Sequence, residues 1–448
     1  MAFLLTVAGV LFLPYSAAGV LGAVFAFCIL ISRPDIAFAL FIAVEALISE
    51  DVLLITEELA PTLYFIPIPG LGINVFEAAL LVLIITTVLY RRGRLYGTPL
   101  DLSIFLFGLS CIIGYFTMIQ FMGDPSRLFE PRRILHLFIG YFLAVNLLRT
   151  RDSLRMFLTI FFLAIVLKSL EGVWLYSSGG GLQIKWRIRA IFTGWEDSLN
   201  FVTYLMFMAI FLLEKVEMPL KRFFLWMSPF VFFSMLVSYK RAYYLAFIVA
   251  MCVVFLLQGK RARFRFFLLL LAAALIFAGA LTAAGQWEAF AMRFGSIFTP
   301  TKESSAHYRI IEWRNALISI EKNPVTGIGL GGVMPMVIYI PRTNQLGVHN
   351  TFLWVTVKMG VFGLFTYLLL NLCYVRQLFR QNSHLHDPYL RAVSKSIFCA
   401  FIAFTTAEMF APMFSTMRTS MWLGIMLGIG MLVGYLDLEE RKQKTDHS

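Results

Sequence analysis

TKESSAHYRIIEWRNALISIEKNPVTGIGLGGVMPMVIYIPRTNQLGVHNTFLWVTVKMGVF, residues 301–362, contains the longest run of the chain without a membrane span, yet it lies between very apolar segments. It carries two of the six His residues, a glycine cluster at 327–332, and a His349-Asn350 pair just before the next apolar run. Working outward, apolar runs of about 20 residues recur on both sides, the length that crosses a hydrocarbon core of roughly 30 Å. The chain is 59% hydrophobic and 14% charged, whereas a soluble domain carries about a quarter charged residues. Segments such as 266–284 do not alternate, which excludes a β-barrel. The expected fold is all-α: a polytopic membrane protein of about 12–14 transmembrane helices with one long extracytoplasmic loop containing an amphipathic helix.

Spans are expected near 34–48, 72–90, 100–121, 132–148, 153–175, 198–214, 220–237, 241–257, 264–284, 350–374, 390–410 and 418–436. Residues 2–31 form one long or two short apolar helices, with Pro14 as the dividing point, and they lack the basic start of a cleavable signal peptide. The chain divides into an N-terminal bundle (1–285), the loop (286–349), and C-terminal helices with a tail (350–448). Cys28, Cys111, Cys252, Cys373 and Cys399 all fall in apolar segments and read as small core residues.

Net charge is +12. The basic clusters Arg91/Arg92/Arg94, Arg149/Arg151/Arg155, Lys215/Lys221/Arg222, Lys260/Arg261/Arg263/Arg265, Arg376/Arg380/Arg391 and Arg441/Lys442/Lys444 fall on one face if the spans alternate, so that face is cytoplasmic. The positive charge reflects topology, and no nucleic-acid partner is expected. Against this bias, Arg127, Arg132, Arg133, Lys185, Arg187, Arg189, Lys240, Arg241, Arg293, Arg309, Arg314 and Arg342 lie on the outer side. Outward arginines suit an anion at the outer membrane surface, with phosphate the obvious ligand because the guanidinium fork binds it bidentately.

Three segments carry this chemistry. Lys240 and Arg241 open a span, where a cation opposes the helix dipole unless an anion binds there. Arg187 and Arg189 sit in a stretch read as extended, pointing to one side, with Asn200 as a cap for the following span. His349, with Asn350 beside it, ends the loop on the same face, where a neutral imidazole can take a proton from an attacking hydroxyl. Within the loop, residues 305–322 read as an amphipathic helix with Ile310, Trp313, Leu317 and Ile320 on its apolar face. His307 and Glu312 then read as solvated surface residues. The 327–332 glycines lack the strand–helix setting of a nucleotide loop and read as a tight turn near a ligand. Outer acidic residues are scattered without metal-ligand spacing, and no metal site is expected; Glu408, near an outward helix end, has no assignable role.

Together, Asn323-Pro-Val-Thr-Gly-Ile-Gly-Leu-Gly331, His349-Asn-Thr-Phe-Leu353, Lys358-Met-Gly-Val-Phe-Gly-Leu364, Ser238-Tyr-Lys-Arg241 and Arg187-Ile-Arg-Ala-Ile-Phe192 resemble the signature of the O-antigen ligase and polymerase superfamily. The sequence departs from it at Ala190, where the family has Gly, and at Trp195-Glu-Asp197, where it has Asn-Pro. The functional arginine is therefore Arg187 or Arg189, with the spacing to Phe192 favouring Arg187. The resemblance implies a GT-C-type glycosyltransferase of the bacterial inner membrane that works on the periplasmic face without metal or cofactor. Its donor is an undecaprenyl-diphosphate-linked glycan, and its acceptor is a lipid A core sugar, a growing polysaccharide or a protein. In that setting Arg241, Lys240 and Arg187 or Arg189 hold the diphosphate, His349 activates the acceptor, and Asn350 and Arg342 support them. A repeat-unit polymerase with the same donor chemistry is the alternative. A lipid-linked glycan transporter is less favoured, because no internal repeat is evident and mid-span charges are few. Lys168 and Glu171 read as a local ion pair.

Overall fold

A computed structural model describes residues 32–48, 74–92, 95–122, 128–179, 182–185, 188–190, 195–283, 287, 304–335, 337–338 and 348–446. In chain order the helices are α1 (Pro34–Leu47), α2 (Val75–Tyr90), α3 (Asp101–Met122), α4 (Phe129–Leu147), α5 (Arg151–Ser177), α6 (Trp195–Leu213), α7 (Lys221–Val237) and α8 (Arg241–Leu257). They continue with α9 (Lys260–Ala283), α10 (Ser304–Lys322), α11 (Thr351–Asn382), α12 (Pro388–Glu408) and α13 (Met417–Asp446). A two-stranded antiparallel hairpin, β1 (Leu182–Lys185) and β2 (Ile188–Ala190), precedes α6. The architecture is polytopic and all-α, as expected from the apolar runs. Among the described residues six helices (α3, α5, α6, α11, α12, α13) are long and apolar enough to cross a membrane, and α2 and α8 are shorter apolar helices. Each expected span from residue 34 onward coincides with a helix, while α11 and α13 run past their expected ends. The 2–31 segment lies outside the described residues.

The helix ends meet as alternating spans require. At the ends away from the basic clusters, Arg132 of α4 pairs with Glu77 of α2 (Nε to Oε1 2.9 Å), and Lys168 of α5 donates to the Leu47 carbonyl that ends α1 (3.1 Å). Lys168 also pairs with Glu171 at 3.1 Å, the local ion pair expected. Arg132 is thus one outward arginine held by a structural partner. On the basic side, Arg91 donates to the Asn146 carbonyl at 2.7 Å and Arg151 pairs with Asp387 at 3.0 Å.

Backbones approach closely where side chains are small, because apolar burial does not distinguish a helix face from lipid and packing must do the work. α13 lies along α4 in this way. A Cβ on Gly424 would sit 2.0 Å from the Leu137 carbonyl oxygen, and one on Gly140 would sit 2.5 Å from that of Met421. The cysteines only partly follow the core reading: Cys399 is buried, but Cys252 is exposed on α8.

The glycine turn after α10 is an inserted piece of backbone. Leu330 N–H donates to the Gly114 carbonyl of α3 (3.0 Å), while Ile328 and Gly329 donate to Val357 and Lys358 of α11 (2.9 and 3.0 Å). α11 breaks at Gly360 (φ +65), and Val361 N–H instead donates to the Pro324 carbonyl at 2.8 Å. A Cβ on Gly360 would lie 2.0 Å from the Val325 oxygen, so only glycine supplies both the backbone angle and the space.

Gly424→Leu is expected to overpack the α4–α13 contact and lower stability by about 1–3 kcal/mol or more. Gly259→Ala, with nothing within 4 Å of the new Cβ, is expected to leave it unchanged. Thermal unfolding in detergent compares the two.

Candidate active site

Three helix starts, at the end of the bundle away from the basic clusters, converge on one short turn. A 3-10 segment, Met413–Ser415, links α12 to α13. Thr351, the first residue of α11, uses its hydroxyl twice here: Oγ1 donates to the Ala411 carbonyl and accepts from Met413 N–H, both at 2.9 Å. Tyr243, in the first turn of α8, reaches the Met413 sulfur with its hydroxyl (3.7 Å). Thr419 of α13 donates to the Met413 carbonyl. Arg418 beside it reaches Asp197 in the first turn of α6 at 3.5 Å. The starts of α6, α8, α11 and α13 are thereby brought together, all with their positive dipole ends at this face.

Arg241 is the first residue of α8, with Lys240 at its N-cap position, and both are half-buried. Tyr239 just before them has φ +51, in the left-handed region that bulky residues rarely adopt. Such local strain clusters at binding and catalytic sites. His349 lies two residues before Thr351, and Asn350 caps α11 by accepting from Leu353 N–H at 2.9 Å. Through Thr351 and Tyr243, the helix starts bearing His349 and Arg241 rest on the same methionine.

α10 follows the sequence expectation only in part: Trp313 and Ile320 pack against the core, but most of its buried positions are polar. Ile310 and Leu317 are exposed, while Glu312, Asn315, Ala316 and Ser319 are buried. Their 3-1-3 spacing defines a single stripe facing the protein. Asn315 clamps the backbone of Ile338, donating to its carbonyl (3.0 Å) and accepting from its N–H (2.9 Å). Glu312 holds His349: its Oε2 lies 2.8 Å from Nδ1 and 3.4 Å from the backbone N–H. The reading of Glu312 as a solvated residue is therefore corrected; at 4% exposure it is an internal partner, whereas His307 is exposed as expected. An ionised carboxylate only accepts, so in the neutral ring the pairing puts the proton on Nδ1. His349 itself is half-exposed.

A second polar group lies alongside. Arg418, Glu45, Glu196, Asn200 and Trp422 line a cleft at the outer ends of α1, α6 and α13. Lys240 acts electrostatically on Glu196 from the start of α8. Asn200 was expected to cap α6, but the helix begins at Trp195, so Asn200 stands in the second turn and faces the cleft. Arg418 escaped the sequence reading although its position was informative, since it follows an outward connection and opens a helix as Arg241 does.

The glycine turn serves packing. Gly327, Gly329 and Gly331 all have positive φ, confirming a tight turn. What the turn surrounds is a buried ion pair: Lys358 of α11 lies 2.8 Å from Glu130 and donates to the Gly332 carbonyl at 2.5 Å, while Gly331 N–H donates to Glu130 at 2.5 Å. Glu408 is likewise internal, fully buried and accepting from the Tyr367 hydroxyl. Arg189 falls on β2, in the extended stretch expected, whereas Arg187 and Arg342 lie outside the described residues. Among the described residues no group of three or more His, Cys, Asp or Glu side chains is arranged to hold a metal ion.

Residues 224–368 match the family described as O-antigen ligase. The matched segment holds Lys240, Arg241, Glu312, His349 and Lys358, and leaves out Arg187, Arg189 and Arg418. No curated protein matches the chain. The match supports the resemblance to the O-antigen ligase and polymerase superfamily and, with it, a membrane glycosyltransferase-like activity.

Breaking the buried ion pair from one side is expected to be costly. Lys358→Met leaves Glu130 buried without its partner and should destabilise by about 3–5 kcal/mol, whereas Lys358→Met with Glu130→Gln should recover part of the loss. Unfolding midpoints of the two variants test this.

Proposed function

We propose that the protein transfers a glycan from an undecaprenyl-diphosphate carrier to an acceptor hydroxyl at the outer, periplasmic face of the bacterial inner membrane, as an O-antigen ligase-type enzyme. The observation that carries this reading is the meeting of two helix starts on Met413, one bearing Arg241 and the other preceded by His349, within the segment that matches the family. Cleavage of a sugar–diphosphate bond builds negative charge on the departing phosphate. Pre-placed cations and helix N-termini stabilise that charge without reorganising during the reaction. Arg241 and Lys240 supply this role, joined by Arg187 or Arg189 from the hairpin that leads into α6.

His349 acts as the general base. With Nδ1 donating to Glu312, Nε2 takes the proton of the acceptor hydroxyl as its oxygen attacks the anomeric carbon, and the carbon–oxygen bond to the diphosphate breaks. The carboxylate of Glu312 keeps the ring oriented and stabilises the imidazolium that forms, the role a buried carboxylate plays beside any histidine base. Asn350 fixes the start of α11 immediately after the base. The acceptor is a lipid A core sugar in the ligase reading and a growing chain in the polymerase reading; deletion in the native host separates them. Loss of all glycan from the lipid core marks a ligase, and products with single repeats mark a polymerase.

His349→Ala and Arg241→Ala are each expected to reduce transfer by about 10²–10³-fold with normal membrane insertion. Full activity in both would contradict the assignment. Glu312→Gln retains a hydrogen-bond acceptor for Nδ1 but removes the charge, so its kcat should fall while KM for the donor stays near wild type. Steady-state assays with purified protein and a lipid-linked glycan check all three.

A further inference from the structure

The basic face of the bundle carries a second cationic cluster, at the opposite ends of the helices from Arg241 and His349. Arg151 and Arg155, in the first two turns of α5, stand over the Tyr389 ring with their guanidinium carbons 5.5 and 4.7 Å from its centre. Arg151 also pairs with Asp387, the residue whose side chain caps α12. Arg391 follows Asp387 by four residues and so lies on the same side of that helix end. Arg151, Arg155 and Arg391 thus share one end of the bundle with Asp387, with the exposed Asp152, and with Asp437, which accepts from the Asp387 N–H at 2.9 Å; Arg441, paired with Asp437, leaves the group net positive.

Topology accounts for the charge alone. A bias toward cytoplasmic Lys and Arg is satisfied by any solvated side chain. It does not require guanidiniums desolvated against a buried tyrosine, and the Nε atoms of Arg155 and Arg391 are buried with no hydrogen-bond partner among the described residues. Buried donors of this kind normally have acceptors. A phosphate offers several acceptor oxygens and the charge to match, and the guanidinium fork fits it bidentately.

We propose that Arg151, Arg155 and Arg391 form a binding site for the phosphate of an anionic phospholipid in the leaflet on the basic face. Tyr389 backs the two α5 arginines and fixes their planes. Asp387 holds Arg151 in place, leaving Arg155 and Arg391 to take the phosphate oxygens. A basic pocket between transmembrane helices at the cytoplasmic boundary is where headgroups of this class are recognised. The inference is independent of the glycosyl-transfer reading, because it concerns the other face of the membrane and its test measures no transfer.

The full chain is reconstituted in nanodiscs of phosphatidylcholine with and without phosphatidylglycerol, and its unfolding midpoint and the lipid retained in native mass spectrometry are measured. A parallel sample in detergent receives inorganic phosphate. Phosphatidylglycerol is expected to raise the midpoint of the wild type and to be retained by it. Arg155→Gln and Arg391→Gln should each weaken that binding roughly fivefold, the factor equivalent to the ~1 kcal/mol that one basic residue contributes at an anionic membrane surface. Arg155→Lys, which keeps the charge without the fork, is the variant least prone to misfold and should lose part of the effect. An equal midpoint rise in wild type and variants, or none in the wild type, overturns the proposal. Stabilisation by inorganic phosphate with no selective retention of phosphatidylglycerol overturns the lipid assignment.

Discussion

Every backbone amide within a bilayer must find its partner inside the protein, because hydrocarbon offers none and an unpaired group costs several kcal/mol. Helices meet this demand alone; a turn can enter only if its neighbours donate and accept for it. The Ile328–Leu330 turn, packed between helices, meets the same demand by pairing with α3 and with α11. α11 breaks at Gly360 so that its backbone can serve the inserted segment. The buried Glu130–Lys358 pair then neutralises itself against the turn's own amide and carbonyl groups. With this seat fixed, α10 is anchored at its C-terminal end, and its polar stripe is directed inward toward His349.

α10 buries a polar stripe beside Trp313 and Ile320, which pack against the core. A surface helix normally hides its apolar face. α10 hides Glu312, Asn315 and Ser319, and the first two bond to chain that returns beneath it. Two of them hold Ile338 and His349 by hydrogen bonds. Ile310 and Leu317 are left outside among charged neighbours such as Arg314. The helix is therefore a bracket for the end of the loop, and the histidine it holds is the base of the proposed mechanism.

How much of this was legible in the sequence follows from range. Spans and helix starts depend on local apolar length and on basic clusters, so α8 begins at Arg241 and α10 occupies 304–322 as the pattern predicts. The extended reading of residues 188–190 also holds. Contacts between distant segments left no local trace. Glu312 reaches His349 across thirty-seven positions and Glu130 reaches Gly331 across two hundred and one, so both acids look like ordinary surface charges in a helical pattern. The start of α6 was displaced because Trp195-Glu-Asp197 replaces the family's usual residues there, and the two acids enter the first helical turn, where a helix dipole favours them. Met413 carried no signal either; its importance lies in what three helix starts do around it.

The central claim is that Arg241 and His349, from helix starts joined at Met413, work on one substrate at the outer face. A structure of the protein with a bound polyprenyl-diphosphate-linked sugar tests it most directly. The diphosphate should lie within hydrogen-bonding distance of Arg241, with the anomeric carbon facing the Nε2 side of His349. A diphosphate bound away from Arg241, or a His349 ring turned from the sugar with Glu312 released, would contradict it.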